Sequence, residues 1–488
     1  MEQETSKITF NISKEKNFSE WYSEIIAKAE LADLRYNVKG FLVFQPWSVE
    51  VMEIMYDILE SILKRKGHRP YWFPAVIPEE NFKKESEHIK GFTPQVFWIT
   101  EAGNEKFNEK LALRPTSETA MYQMYSLWIR SYRDLPFKAY QRAQVWRYET
   151  KATRPFIRSR EFYWVETHNC FATRKDSELQ IKEDMETTYE LLFDNLCVPS
   201  IFLERPQWDK FPGAITTSAA DTLMPDGKMI QLPSTHLLGQ GFAKVFDIKF
   251  KDNDKKEKYV WQTCYGPAIS RIFAGLISWH GDDKGLVYPF KVSPIQIIIV
   301  PIYKTENKTK VIKKSMALKK KLAKEGFRVN IDLNETKPGE KFYFWEMKGV
   351  PLRLEVGERE INDKEYILFL RDENRKIKVD EEKLTKLIHD EGKKFDERLK
   401  KKTKEKFESS IVSAKTKEEI KKAVDSKKIA KINFCSLEKD GEKCAEVIEK
   451  EINAEVRGKK IENEEKPSGK CVICGKPAKV VVYIARSY

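Results

Sequence analysis

The sequence contains no hydrophobic run long enough to cross a bilayer. Its longest apolar stretches, such as residues 295–302, fall far short of the roughly 20 residues a membrane helix needs. No charged start followed by an apolar stretch stands at the N-terminus, so no secretory signal is expected. Internal repeats and low-complexity tracts are missing, which sets aside solenoids and disordered arrays. Cysteine is sparse, seven in 488 residues, and Cys170, Cys197 and Cys264 are scattered as structural thiols are. Together these absences predict a soluble, intracellular chain with no membrane partner, in a compartment where disulfides are rare.

What is present is ample core material. Hydrophobic residues make up 41% of the chain and aromatics 12%, and at this length two to four domains are expected. The net charge of +13 fits a polyanionic partner, because lysine and arginine displace counterions from phosphates. Charge alone does not require one, since lysine-rich surfaces arise for other reasons.

Apolar spacing at Met52, Met55, Leu59, Ile62 and Leu63 predicts an amphipathic helix over 51–66, closed by Gly67. A strand interrupted by Pro74 is expected over 71–77, with further strands at 138–147, 161–166 and 245–250. Helices are expected at 117–132 and 175–196. Strands, helices and hairpins without regular βαβ alternation predict an α+β body around an antiparallel sheet. After Pro294 the pattern changes. A buried strand at 295–302, a lysine-rich helix at 305–325 and alternating strands at 327–333, 350–356 and 366–370 predict a small α/β domain. A Lys/Glu-rich stretch from 381 to about 431 keeps an apolar face at Leu384, Leu387, Ile388 and Phe395, and so reads as a connecting helix.

The chemistry concentrates in residues 140–168, YQRAQVWRYETKATRPFIRSREFYWVETH. Two-residue spacing puts Arg147 and Glu149 on one strand face, and Phe162, Trp164, Glu166 and His168 on another. Such a surface offers a guanidinium for phosphate or carboxylate, a carboxylate for an amine, and rings for stacking. On charge alone it reads equally as an exposed hairpin laced with salt bridges.

The stretch resembles motif 2 of the class II aminoacyl-tRNA synthetases, Arg-x-Glu, a loop, then Arg-x-x-Glu-Phe, with Arg158-Ser-Arg-Glu161-Phe162 as its second half. Across most of its length the chain is similar to prolyl-tRNA synthetases of the archaeal and eukaryotic type. The helix and strand ending at Phe73-Pro74 resemble motif 1, the family's dimer interface. Leu113-Arg-Pro-Thr116-Ser-Glu118 resembles its amino-acid recognition loop. Lys210-Phe211-Pro-Gly-Ala214, His280-Gly-Asp-Asp-Lys-Gly285, 345–353 (WEMKGVPLR) and the closing Arg486-Ser-Tyr488 are further signatures. Gly266-Pro-Ala-Ile-Ser270-Arg271 stands at motif 3 where Gly-x-Ser-Thr-Arg is usual, and Ser234 where threonine is common.

The resemblance implies a cytoplasmic homodimeric ligase that joins L-proline to tRNA(Pro) using ATP with Mg2+. It assigns Arg147 to the proline carboxylate and the α-phosphate, with Arg271 beside it in catalysis. Glu149, Arg158, Phe162, Gln231, Ser270 and Arg271 would hold ATP, with adenine between Phe162 and Arg271. Thr116 and Glu118 would take the proline imino group, with Trp164, Glu166, His168, Phe211, Ser234 and His236 shaping the pocket. Anticodon contacts fall to Glu346, Lys348 and Arg353. A catalytic domain over 1–290, an anticodon-binding domain over 291–400 and a zinc-binding domain over 401–488 follow. In the last, Cys435-x8-Cys444 and Cys471-x2-Cys474 supply four thiolates suited to structural Zn2+, the alternative being free structural thiols. The interval 166–271 is filled by family signatures and leaves no room for a hydrolytic editing domain. A threonyl or seryl sister enzyme fits less well, because Trp164 and His168 suit an apolar ring. A catalytically silent paralogue would be expected to lose charged motif residues, and Arg147, Glu149 and Arg271 are retained.

Overall fold

The computed structural model describes residues 10, 12–82, 95–150, 152–463 and 465–488. Its dominant element is an eleven-stranded sheet in the order Ile411–Ser413, Ile429–Phe434, Val480–Ser487, Glu455–Lys460, Ile201–Glu204, Thr216–Leu223, Lys228–Gly239, Trp261–Gly266, Glu161–Phe171, Phe137–Trp146 and Arg69–Pro70. From Glu455–Lys460 to Phe137–Trp146 every neighbouring pair is antiparallel. The mixed α and β body with an antiparallel centre is the expected class.

Alternation along these strands sorts the side chains onto two faces. Tyr140, Val165 and Tyr265 point to one face and join Phe273, Ile277, Met55 and Leu59 in the largest core cluster. The helices Pro46–Arg65 and Ile269–His280 cover that face, each by an apolar stripe. Proline at the first turn of Pro46–Arg65 starts that helix where no amide donor is needed. On the opposite face Ala139 and Cys264 meet Met121, Tyr122 and Tyr125 of the helix Glu118–Trp128. The candidate site opens on this second face.

A separate five-stranded sheet runs Val329–Ile331, Ile297–Ile302, Leu352–Gly357, Glu365–Leu370, Arg375–Asp380. Its first three strands are parallel and the last two antiparallel, with the lysine-rich helix Lys308–Lys324 packed against it.

Several sequence expectations need correction. Residues 71–77 do not form one strand: Arg69–Pro70 pairs with Phe137–Trp146, and pairing resumes only at Val76–Pro78 with another sheet. Pro70 and Pro74 both lack an amide donor, which ends the ladder between them. The stretch 245–250 divides into the end of the helix Gly241–Val245 and the start of a short hairpin strand, Lys249–Lys251. The helix expected over 175–196 is α-helical over Arg174–Tyr189 and continues as a π-helical turn over Glu190–Asn195. The connecting helix expected from 381 to about 431 covers only Leu384–Ser409 and is followed by the strand Ile411–Ser413, the helix Lys417–Asp425 and the strand Ile429–Phe434.

Candidate active site

The hairpin Phe137–Trp146/Glu161–Phe171 pairs Ala139 with His168, Gln141 with Glu166, Ala143 with Trp164 and Val145 with Phe162. Small or amide side chains thus face the large functional ones and leave them room. The row continues across the sheet, His168 opposite Cys264, Cys264 opposite His236, His236 opposite Thr217. Four neighbouring strands therefore bring together residues 168, 264, 236 and 217, which no local spacing connects.

Above this row lies the loop 114–118. Arg114 fixes it by donating to the carbonyls of Phe73 (2.7 Å) and Gln144 (2.9 Å). The Thr116 hydroxyl donates to the Glu118 carboxylate, and both side chains are buried. Glu166 accepts from the Ser117 amide at 3.1 Å and meets His168 Nε2 at 3.1 Å, while His168 Nδ1 meets the Tyr122 hydroxyl at 3.0 Å. Burial works against charge on His168, but the Glu166 hydrogen bond and the Glu118 charge outweigh it and raise its pKa. Burial likewise opposes ionisation of Glu166, yet His168, Ser117 and Arg114 hold it below the usual value. Each partner thus favours the charged form of the other, and with Glu166 engaged by His168 and Ser117, Glu118 is the carboxylate nearest the Thr116 side of the pocket.

His236 is different. Its Nδ1 meets the Thr217 hydroxyl at 2.9 Å, its Nε2 meets the Ser234 hydroxyl at 3.1 Å, and Phe211 packs on its ring at 4.8 Å. Burial, the His168 cation and Arg205 push its pKa down to about 3, so it is neutral. Trp164 fits beside Gly266, where a β-carbon would stand only 3.3 Å from the indole.

A second group sits at the mouth. Arg147 donates to the Pro115 carbonyl at 2.9 Å, and its guanidinium lies 5.1 Å from the Phe162 ring and 5.5 Å from that of Trp164, yet it is open to solvent. Arg158 donates to Glu149 at 3.3 Å. Arg271 donates to the carbonyls of Ile157 (3.2 Å) and Gln231 (3.3 Å). Burial, then the cations of Arg147 and Arg158, push Arg271 down to about 10, the signature of guanidiniums crowded with too few anions. Ser270 is buried at the start of the helix Ile269–His280, and its hydroxyl has no partner among the described residues. Tyr488 reaches this group too: its carbonyl accepts from Arg158 at 2.9 Å and its phenol donates to Asp226 at 2.6 Å.

The remaining assigned residues lie apart. Lys348 is buried and spans back to the first body, donating to Ala29 O (2.8 Å) and Glu30 (2.6 Å). Arg353 is buried between Phe342 and Phe369, donating to Glu346 at 2.9 Å and Glu355 at 3.1 Å. Neither presents its charge freely on the domain surface. The sulfurs of Cys435, Cys444, Cys471 and Cys474 all lie within 4.8 Å of one another. Sequence reasoning set Cys264 aside as a structural thiol and did not single out Ser117, Tyr122, Gln141 or Thr217. Strand register brings in Cys264, Gln141 and Thr217, and the packing of the helix Glu118–Trp128 on the sheet brings in Ser117 and Tyr122.

Comparison with known proteins agrees with this geometry. Residues 97–280 match the tRNA synthetase class II core domain (G, H, P, S and T), residues 296–391 the anticodon binding domain, and residues 417–488 the prolyl-tRNA synthetase C-terminal domain. The fold is that of a class II aminoacyl-tRNA synthetase. The chain is 51% identical to the proline–tRNA ligase of Thermofilum pendens over 480 residues, 98% of either chain. It is 42% identical to that of Methanopyrus kandleri over 472 residues, 96% of either chain. The solved Giardia lamblia prolyl-tRNA synthetase in complex with prolyl-adenylate matches with a TM-score of 0.95 and 36% identity, covering 98% of this chain and 100% of that one. This chain belongs to the proline–tRNA ligase family.

Proposed function

We propose that the chain joins L-proline to tRNA(Pro) in two steps at the site formed by the 114–118 loop and the motif 2 hairpin. The observation that carries the reading is the side-by-side placement of a buried carboxylate, Glu118, and a crowd of guanidiniums, Arg147, Arg158 and Arg271. The first suits a cationic imino group and the second a polyphosphate.

In the first step a carboxylate oxygen of proline attacks the α-phosphorus of ATP and pyrophosphate leaves. Arg147, anchored on Pro115 O, neutralises charge on the phosphorus oxygens and on the proline carboxylate. Phe162 and Arg271 take the two faces of adenine, Glu149 its amine, and Arg158 the terminal phosphates. The pocket set, three guanidiniums and a carboxylate already bonded to Arg158, suits phosphate rather than a bare cation, so magnesium comes with ATP and lies beside Gln231. Thr116 and Glu118 hold the imino group, Ser270 caps the ATP side, and Trp164, Glu166, His168, Phe211, Ser234 and His236 shape the space for the ring. In the second step the terminal ribose hydroxyl of the tRNA takes the prolyl group and AMP leaves. Positioning and charge neutralisation supply the catalysis, with no covalent enzyme intermediate.

The catalytic work belongs to 1–290, anticodon reading to 291–400 and a structural zinc site to 401–488. In the second, Arg353 orients Glu346 toward the anticodon, while Lys348 ties the domain to the body. A zinc ion with 2.3 Å bonds spaces its sulfurs about 3.8 Å apart, and Cys435 and Cys444 stand at 3.6 Å, so the tail cysteines fit it. A homodimer in the cytoplasm completes the reading. Its interface is the motif 1 face, where Trp72 is 92% exposed. No helix among the described residues is long and apolar enough to cross a membrane. The test is ATP–pyrophosphate exchange with each of the twenty amino acids: proline should support the fastest exchange, and faster exchange with threonine or serine would refute the assignment.

A further inference from the structure

The helix Leu384–Ser409 is 26 residues long, about 39 Å from end to end. It begins at the end of the anticodon-binding sheet and lies along the catalytic body, where Phe407 packs edge-on against Trp279 and Thr403 donates to Cys197 O at 2.9 Å. Its inner stripe is Phe395, Leu399, Thr403 and Phe407, all buried. Beside that stripe, Arg398, Lys401, Lys402, Glu405, Lys406 and Ser409 line an open surface concavity of about 620 Å³.

The charge lining this concavity is unbalanced, whereas several other cations of the helix are paired. Lys394 pairs with Glu391, Lys400 with Asp194, and Arg398 with Asp372 and Glu391. Lys401, Lys402 and Lys406 are exposed and have no carboxylate partner among the described residues, although Glu405 is beside them. Lys14 approaches the same place, with its ammonium on the carbonyls of Gly281 (2.5 Å) and Trp279 (3.4 Å). Burial first, and then the charges of Lys406 and Lys402, push it down to about 7. Lys402 and Lys406 stand one helical turn apart, about 6 Å along the axis, with Lys401 next to Lys402, so one polyanionic strand can engage all three.

We propose that this concavity is a docking surface for the phosphate backbone of the tRNA between its anticodon and its acceptor end, with Lys401, Lys402 and Lys406 as the contacts. The inference rests on the tRNA-charging reading above and adds a surface outside both the active site and the anticodon-binding sheet. Charge complementarity selects the occupant: three unpaired ammoniums on a helix joining the two tRNA-handling units fit a phosphodiester chain. They contribute affinity without base specificity.

The test is the triple variant Lys401→Gln/Lys402→Gln/Lys406→Gln of the full chain, which removes only exposed side chains. Its KM for tRNA should rise about tenfold at moderate salt, and the slope of log KM against log salt should fall by roughly two to three. Proline-dependent pyrophosphate exchange, which needs no tRNA, should stay at the wild-type rate. A tRNA KM and salt slope equal to wild type would overturn the proposal and point to another acidic partner. Equal loss of exchange and charging would also overturn it, by showing that the face supports the catalytic body. Failure of the tRNA-charging reading itself would appear separately, as wild-type enzyme that exchanges but never charges tRNA.

Discussion

Replacing Asp221 by asparagine removes the carboxylate shared by Arg205 and Arg457 in a buried triad at the middle of the large sheet, where Glu455–Lys460, Ile201–Glu204 and Thr216–Leu223 are neighbours. Asp221 is fully buried on Thr216–Leu223 and accepts from Arg205 at 2.6 and 2.9 Å and from Arg457 at 2.9 Å. Arg205 and Arg457 are also buried, and Arg205 additionally donates to Gln231 at 3.1 Å. With asparagine in place, Arg205 loses its carboxylate partner and Arg457 keeps only the half-exposed Glu455, at 2.8 Å. Removing one member of a buried pair costs about 3–5 kcal/mol, against about 0–1 for an exposed pair. The folding equilibrium should therefore move roughly a hundredfold to a few thousandfold. Denaturant unfolding of wild type and Asp221→Asn reads the difference directly. Adding Arg457→Met removes one stranded cation, so the double variant should lose less than the sum of the single losses. The pH dependence has a definite sign. Burial alone would raise the Asp221 pKa, but the two arginines outweigh it and hold it below the ordinary carboxylate value. Its contribution is thus present above the unfolded pKa of about 3.9 and is lost as pH falls through the lower folded value. A loss below about 1 kcal/mol, or strictly additive variants, would refute the reasoning.

Arg147→Ala should lower pyrophosphate exchange about a hundredfold or more with an unchanged circular dichroism spectrum; near-normal exchange would show that another group meets the phosphate. Because the His168 pKa is raised, its charge is complete below about pH 6.5 and is lost as pH climbs through the folded value. The KM for proline should change over that window in wild type but not in His168→Gln, and parallel profiles would remove His168 from the pocket. Elemental analysis should find one zinc per chain; metal-free protein with four titratable tail thiols would refute the four-cysteine site. Alanine lacks ring methylenes worth about 1 kcal/mol each, so it should be activated measurably, and alanyl-tRNA(Pro) should persist on incubation with the enzyme. Deacylation well above the spontaneous rate would reveal an editing site.

Legibility in the sequence followed the range of the interaction. The motif 2 face was readable because Phe162, Trp164, Glu166 and His168 are two residues apart, and a strand turns that spacing into one surface. The partners across the sheet were not, since Cys264 meets His168 only through register. Lys348 and Arg353 showed the limit of signature reading: a short motif names residues that matter without saying whether they touch a ligand or hold a domain in place. The exposed aromatic face around Trp72 lay in a stretch read as a strand, where proline had already broken the ladder.

The order of the large sheet has a consequence for how the chain is made. Val480–Ser487 is inserted between Ile429–Phe434 and Glu455–Lys460 and also pairs with Lys228–Gly239, more than two hundred residues earlier. A chain growing from its N-terminus therefore cannot finish the sheet until these late residues emerge. Until then Ile429–Phe434 and Glu455–Lys460 lack the strand that lies between them, and Arg158 lacks the acceptor that Tyr488 provides. Pairings of such long range are slow to close. The Arg158 side of the cleft therefore gains its Tyr488 contact only after the last strand is in place.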